Sequence, residues 1–314
     1  MRSHRMKRFI LAVLCTLLSI SGFAQSSAYK PGSPLLMWKV SSKTNSAYLL
    51  GSVHLGDKSL YPLPSVVENA FASSSVLIVE VDITKVDQFQ MAQIAAEVGT
   101  YPDGDDLFKH LTPATQAKLT SYLGRYGMPP ELFIRMRPWI LGATLQMLPM
   151  MENGLNANEG IDYYFLNKAG NKRIEQVEDA EWQIKLLATM PDNLADPWLS
   201  SAITQAEDSK NLWAKFATYW KEGAADKLDE LTTSTNMGST ADAKVFERAL
   251  REDRNPHMAD RLEKCLQSSE SCFMVVGAAH VVGREGILKL LQARGYQVKQ
   301  AVVEAPATAK PLQK

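Results

Sequence analysis

Two short apolar runs near opposite ends of the chain, Ala47–Leu50 and Cys272–Val276, each enter a Gly-x-x-His turn: Gly51-Ser52-Val53-His54 and Gly277-Ala278-Ala279-His280. A helical stretch and a further apolar run follow each turn. After the first, Pro64–Ser73 reads as a helix with proline in its opening turn and Val76–Val81 as a Val/Ile-rich strand. After the second, Gly283–Arg294 is amphipathic, Gly295 stops it, and Tyr296–Val303 is a strand. A strand, a crossover helix and a second strand make a parallel unit, since antiparallel neighbours can be joined by a short hairpin. The pattern predicts an α/β fold whose central, mostly parallel sheet is built from two strand-GxxH-helix-strand units.

Between these units the apolar periodicity changes to that of helices. It predicts them near Val86–Val98, Pro113–Tyr126, Pro130–Met150, Gly160–Ala169, Asp179–Met190 and Asp196–Lys221. One strand interrupts the series at Arg173–Val177 and leads to Glu178. A later helix, Ala241–Asp253, breaks at Arg254-Asn255-Pro256, where Asn can cap and Pro can start the next one, His257–Leu266. A helical insertion over about residues 84–240 is therefore expected to cover one side of the sheet. The Thr/Ser/Gly-rich stretch Thr232–Thr240 and the tail 305–314 read as flexible connections.

With 18 Gly and 5 His in 314 residues, about 0.3 Gly-x-x-His spacings arise by chance, so two in equivalent contexts carry information. Ligands of open parallel sheets bind at the carboxyl ends of the strands. Glu80 and Glu178 fall at the same kind of place, so His54, Glu80, Glu178 and His280 are expected on one rim. Two imidazoles with a carboxylate, His54, His280 and Glu80, suit a divalent transition metal with open positions for water. A carboxylate beside the ion, Glu80 or Glu178, can act as general base, and Arg254 at its helix break can orient a carboxylate or stabilise an oxyanion. Asp82 is a secondary candidate if the strand continues past Glu80. His110 and His257 read as surface residues, and the Met and Trp residues between Trp139 and Met151 as core or groove lining. The chain has no GxSxG elbow, P-loop, GxGxxG, HExxH or CxxC.

The ordered set Leu49-Leu50-Gly51-Ser52-Val53-His54, Tyr61-Pro62-Leu63-Pro64, Val79-Glu80-Val81-Asp82, Pro138-Trp139, Gly160-Ile161-Asp162, Val177-Glu178, Arg254-Asn255, Val276-Gly277-Ala278-Ala279-His280 and Gly295-Tyr296 resembles the TraB/GumN family, related to the Tiki-type metalloproteases. Ile161 stands where the family usually has Leu, and Val177-Glu178-Asp179 where it usually has Leu-Glu-Thr. The resemblance covers nearly all of residues 25–304 and implies one α/β domain. It also implies a site of His54, Glu80, Glu178, Arg254 and His280, with divalent-metal-dependent peptide cleavage as in Tiki proteins.

The N-terminus bears on where this chemistry would run. Basic residues up to Arg8, an apolar run Phe9–Ile20 and the small residues Ser21, Gly22 and Ala24 make the three-part layout of a signal peptide over residues 1–24. Cleavage after Ala24 is expected, giving a periplasmic or secreted protein. The chain balances 34 basic against 34 acidic residues, and losing Arg2, Arg5, Lys7 and Arg8 leaves 30 against 34. That balance excludes a nucleic-acid binder working through bulk charge, and no further stretch is apolar enough to span a bilayer. Cys265 and Cys272, close and not CxxC-spaced, are expected to form a disulfide outside the cytoplasm. The leading expectation is an exported metal-dependent hydrolase acting on a peptide or protein, with Mn, Co or Zn as its ion. Alternatives are a haem- or metal-binding periplasmic protein without turnover, as in related ChaN-like proteins, and a metal-free esterase with histidine as base, as in erythromycin esterases.

Overall fold

The computed structural model describes residues 29–233 and 239–305. The expected signal peptide, nearly all of the tail and the middle of Thr232–Thr240 lie outside the described residues. Six strands form one sheet: β1 Pro34–Ser41, β2 Ser46–Ser52, β3 Val76–Val79, β4 Arg173–Gln176, β5 Cys272–Gly277 and β6 Gln297–Val302. Their spatial order is β4-β3-β5-β2-β1-β6, with β4, β3, β5 and β2 mutually parallel and β1 antiparallel to both its neighbours. The expected α/β architecture with a mostly parallel sheet is present.

The two strand-GxxH-helix-strand units interleave. β5 is inserted between β2 and β3, the strands of the first unit, whereas β2 and β1 separate β5 from β6 in the second. Strand β3, Val-Leu-Ile-Val, is buried at every residue, as is β5 up to Gly277. Continuous apolar character fits strands covered on both faces. Strand β1, unread in the sequence, is held on both sides through partners up to some 260 residues away, such as Trp38 opposite Gln300.

The helices are α1 Ser65–Ala72, α2 Gln88–Val98, α3 Pro113–Gly124, α4 Pro138–Glu152, α5 Ile161–Asn167, α6 Ala180–Leu187, α7 Ala195–Glu207, α8 Ser209–Lys221, α9 Ala225–Thr233, α10 Ala241–Leu250, α11 Asn255–Leu266, α12 Ala278–Val281 and α13 Ile287–Ala293. Two expected long helices are broken. Pro138 forces Arg137 out of the helical region (ψ 150°), so Pro130–Met150 becomes a 3-10 turn followed by α4. Asp196–Lys221 divides at Asp208 into α7 and α8. Thr232 and Thr233, expected in a loop, end α9.

Phe273 of β5 packs with Phe71 of α1 and Phe165 of α5, the three ring centroids lying 4.8–5.5 Å apart. Leu119, Tyr122, Leu141, Leu145, Leu199 and Ile203 form a separate core in the helical lobe. Cys265 and Cys272 are disulfide-bonded, joining the end of α11 to the start of β5. Asn45, in the β1–β2 turn, donates to the Cys265, Ser268 and Glu270 carbonyls and fixes the loop between them. Among the described residues no helix is long and apolar enough to cross a membrane.

Candidate functional site

The register of the sheet sets the rim. Ser52 pairs with Gly277, and Val79 with both Val275 and Gln176, so the carboxyl ends of β2, β5, β3 and β4 lie side by side. His54, His280, Glu80 and Glu178 follow these ends, one per strand. The first glycine turn is built by close approach: a Cβ on Gly51 would lie 3.2 Å from Ala278 Cα, so the first turn packs on the second. A Cβ on Gly277 would lie 3.4 Å from Glu80 Oε2 and 3.5 Å from His280 Cδ2, so the carboxylate and the second imidazole border one point.

Each imidazole is oriented through Nδ1 by a side chain from a helix start. Asn255 Nδ2 donates to the Glu285 carbonyl at 2.7 Å, which turns Oδ1 toward His280 Nδ1 at 2.8 Å. This network assigns the proton to Nδ1 and the free lone pair to Nε2. Burial holds the ring well below its ordinary value, at about 4, so it is neutral near pH 7. His54 Nδ1 meets Asp162 Oδ2 at 3.0 Å, while Asp162 Oδ1 accepts from the Ser52 hydroxyl at 2.7 Å. Asp162 raises the His54 pKa, an attraction weakened by water around a ring that is 67% exposed. Gly160 brings Asp162 there: a Cβ on it would lie 2.3 Å from the His54 carbonyl, and the next residue donates Ile161 N–H to Val53 O at 3.0 Å.

The carboxylates form a buried network around Arg254. Its Nε donates to Glu178 Oε1 at 2.8 Å, its Nη2 to both Glu80 and Glu178, and its Nη1 to the Leu250 carbonyl at 2.8 Å. Gln183 of α6 donates to Glu80 at 2.7 Å and Glu178 at 2.8 Å, and Gly277 N–H meets Glu80 Oε2 at 3.3 Å. Burial alone would push Glu80 up, but the His280, His54 and Arg254 charges and the Gly277 amide hold it down, at about 2. Of these, Arg254 keeps its charge across the whole working pH range, whereas buried His280 does not.

The four residues expected on the rim are thus near one another, and Arg254 joins them through Glu80 and Glu178. Asp82 is not one of them: β3 ends at Val79, and Asp82 instead accepts from Thr84 and pairs with Lys85. His110, expected at the surface, is half-buried, stacked on Tyr101 at 4.5 Å and paired with Asp105. His257 is exposed as expected. In the Met/Trp stretch Trp139 is core, but Met147 and Met151 are exposed. The sequence reading missed Asp162, Asn255 and Gln183 as groups acting on the site. Asp162 and Asn255 sit inside quoted motifs, whereas Gln183 has no sequence signal.

Among the described residues, no three His, Cys, Asp or Glu side chains stand together as a ready metal cluster. Arg254 and Gln183 occupy the carboxylates that could close one. The donor chemistry nevertheless fits a divalent ion: two imidazoles engaged at Nδ1, a Glu80 oxygen held by one long contact, and a buried group of two carboxylates and one guanidinium with an excess negative charge.

A model of the TraB/PrgY/gumN family matches residues 36–300. The chain is 25% identical over 248 residues to the Uncharacterized protein YbaP of Escherichia coli (strain K12), covering 78% of this chain and 87% of that one. It is also 25% identical to the Shigella flexneri protein of the same name, over 78% of this chain and 88% of that one. An Uncharacterized protein of Treponema pallidum (strain Nichols) is 18% identical, over 89% of this chain and 86% of its own length. No solved structure matches.

Proposed function

We propose, from the premise that this chain belongs to the TraB/PrgY/gumN family, that it is an exported, metal-dependent hydrolase and above all a peptidase. The observation that carries this reading is the pairing of two GxxH imidazoles, each held at Nδ1 by Asp162 or Asn255, on one rim with buried, ionised Glu80. His54, His280 and Glu80 are the residues that would hold Mn, Co or Zn. Such an ion, when bound, would supply Lewis acidity and make a water more acidic.

The remaining roles belong to the chain itself. Asn255 and Asp162 keep the ring nitrogens facing the rim. Glu178, next to Glu80 but on a different strand end, is the proton acceptor, and Arg254 presents positive charge where a carbonyl oxygen gains negative charge. The Cys265–Cys272 disulfide supports an oxidising compartment, in keeping with the signal-like N-terminus. Peptide hydrolysis that a chelator abolishes, that Mn, Co or Zn restores, and that both His54→Ala and His280→Ala eliminate is the expected result. Activity in either variant contradicts the reading.

A second reading has its own observation, the His54–Asp162 pair, which resembles a base and its orienting acid. It makes the protein a metal-free esterase, indifferent to chelation and lost in Asp162→Asn. Haem binding without turnover draws less support, because the cavity bordered by His54 and Glu80 is ≈ 220 Å³, below the roughly 300–1,000 Å³ of common cofactor and ligand pockets.

A further inference from the structure

The cavity next to His54 and Glu80 has a wall of a different kind. Val81, Ile83, Val86 and Ala180 line it, supplied by the turn after β3 and the start of α6. Apart from Gln88 and the outer ring nitrogen of His54, which border its exposed side, its polar neighbours are already committed to one another. Glu80 is bonded by Arg254, Gln183 and the Gly277 amide, Asp162 by Ser52 and His54, and Gln183 by Glu80 and Glu178. A polar or charged side chain entering there would give up its water and find few partners, a desolvation cost that an aliphatic or aromatic side chain does not carry.

The helices beside the cavity agree. Neither α2 nor α6 buries a single residue, although they contact each other across it. Phe89 on α2 is 73% exposed and Trp182 on α6 is 44% exposed, so each of these helices turns a large apolar side chain to water. At ≈ 220 Å³ the space is on the scale of one large side chain.

We infer that this cavity is the specificity pocket of the site and takes one large apolar side chain, Leu- or Phe-like, from the substrate residue adjoining the bond that is cleaved. This deepens the peptidase reading and rests on it for the word substrate, whereas the pocket itself can be tested without turnover. Ala180 sets the size of the pocket: Ala180→Leu fills it without removing any of the rim's polar groups.

The test is calorimetric binding of N-acetyl-leucinamide, N-acetyl-serinamide and the N-acetyl-aspartic acid amide to the full chain, beside cleavage of peptides varied at the same residue. Wild type is expected to bind the leucine probe roughly 10- to 100-fold more tightly than the serine probe, and the aspartate probe least. In Ala180→Leu that preference should vanish, and Ile83→Asp should remove it as well; the melting temperature of each variant checks its fold. Equal binding of the three probes by wild type, or a leucine preference that survives in a folded Ala180→Leu, overturns the inference. Selective binding with no cleavage of any peptide keeps the pocket and refutes the peptidase. Cleavage indifferent to the side chain does the reverse.

Discussion

Replacing Arg254 by alanine strands two carboxylates that water hardly reaches. The side chains of Glu80 and Glu178 are 7% and 6% exposed, and that of Arg254 is 12% exposed. Truncation leaves two negative charges facing each other, with Gln183 donating to both and the Gly277 amide to Glu80. Breaking a buried ion pair from one side costs about 3–5 kcal/mol. The combined electrostatic support of Glu80 is of a similar size. Burial raises Glu80 while the His280, His54 and Arg254 charges lower it further, from 4.5 to about 2, and that interval corresponds to about 3 kcal/mol in favour of the ionised form. His280 and His54 account for more of that lowering than Arg254 does, so the lower end of the ion-pair range, about 3 kcal/mol at pH 7, is the expected loss for Arg254→Ala.

The pH dependence has a definite sign. In wild type the folded-state pKa of Glu80 is depressed, so its contribution is fully present above about 4.5 and is lost as pH falls toward about 2. Without Arg254, the folded-state pKa of Glu80 moves back up toward its ordinary value. The deficit of the variant should therefore be greatest at neutral pH and shrink as pH falls through about 4.5. Urea unfolding at pH 7, 5.5 and 4 measures this, with Glu178→Gln introduced in both backgrounds as a double-mutant cycle. Removing one carboxylate should recover part of the loss. A deficit below about 1 kcal/mol at pH 7, or one that stays constant to pH 4, refutes the buried-charge reasoning.

Asn255→Ala frees His280 Nδ1 and should weaken metal binding about 10- to 100-fold with the fold retained, as read by metal titration and circular dichroism; unchanged affinity contradicts the orienting role. Reducing the disulfide, whose cysteines are separated by 7 in sequence, should cost about 2.5 kcal/mol on a chain-entropy basis, seen as a lower urea midpoint with reductant; coincident curves contradict it. Gly160→Ala places a methyl group where the His54 carbonyl stands and should cost about 1–3 kcal/mol together with activity; a wild-type melting temperature would show that α5 docks otherwise.

The local order of strand, turn and helix was legible because the strands that matter most are continuous apolar runs punctuated by glycine. The runs Val76–Val81 and Cys272–Val276 are found as strands for that reason, with bounds Val76–Val79 and Cys272–Gly277. How the strands interleave was not legible, since β5 enters between β2 and β3 through contacts about 200 residues apart in sequence, such as Leu77 with Phe273. β1 went unread although its pairing with β2 is a local hairpin, Ser41 opposite Ser46; only its pairing with β6 is remote. His54, His280, Glu80 and Glu178 were found because a strand end is a local feature. Arg254 was found because a helix break is one too. Asp162, Asn255 and Gln183 act through side-chain hydrogen bonds across 25–110 positions, and no spacing rule encodes such a contact. Asn255 illustrates the difference: read as a helix cap, it uses its amide to orient His280 instead.

Two imidazoles and one carboxylate sharing an ion is the central claim, and elemental analysis of gently purified protein tests it most directly. One equivalent of Mn, Co or Zn per chain in wild type, lost in both His280→Ala and His54→Ala while each variant stays folded, is the predicted result. Metal that stays at one equivalent in either variant, or wild-type protein that neither retains nor takes up any of the three ions, contradicts it.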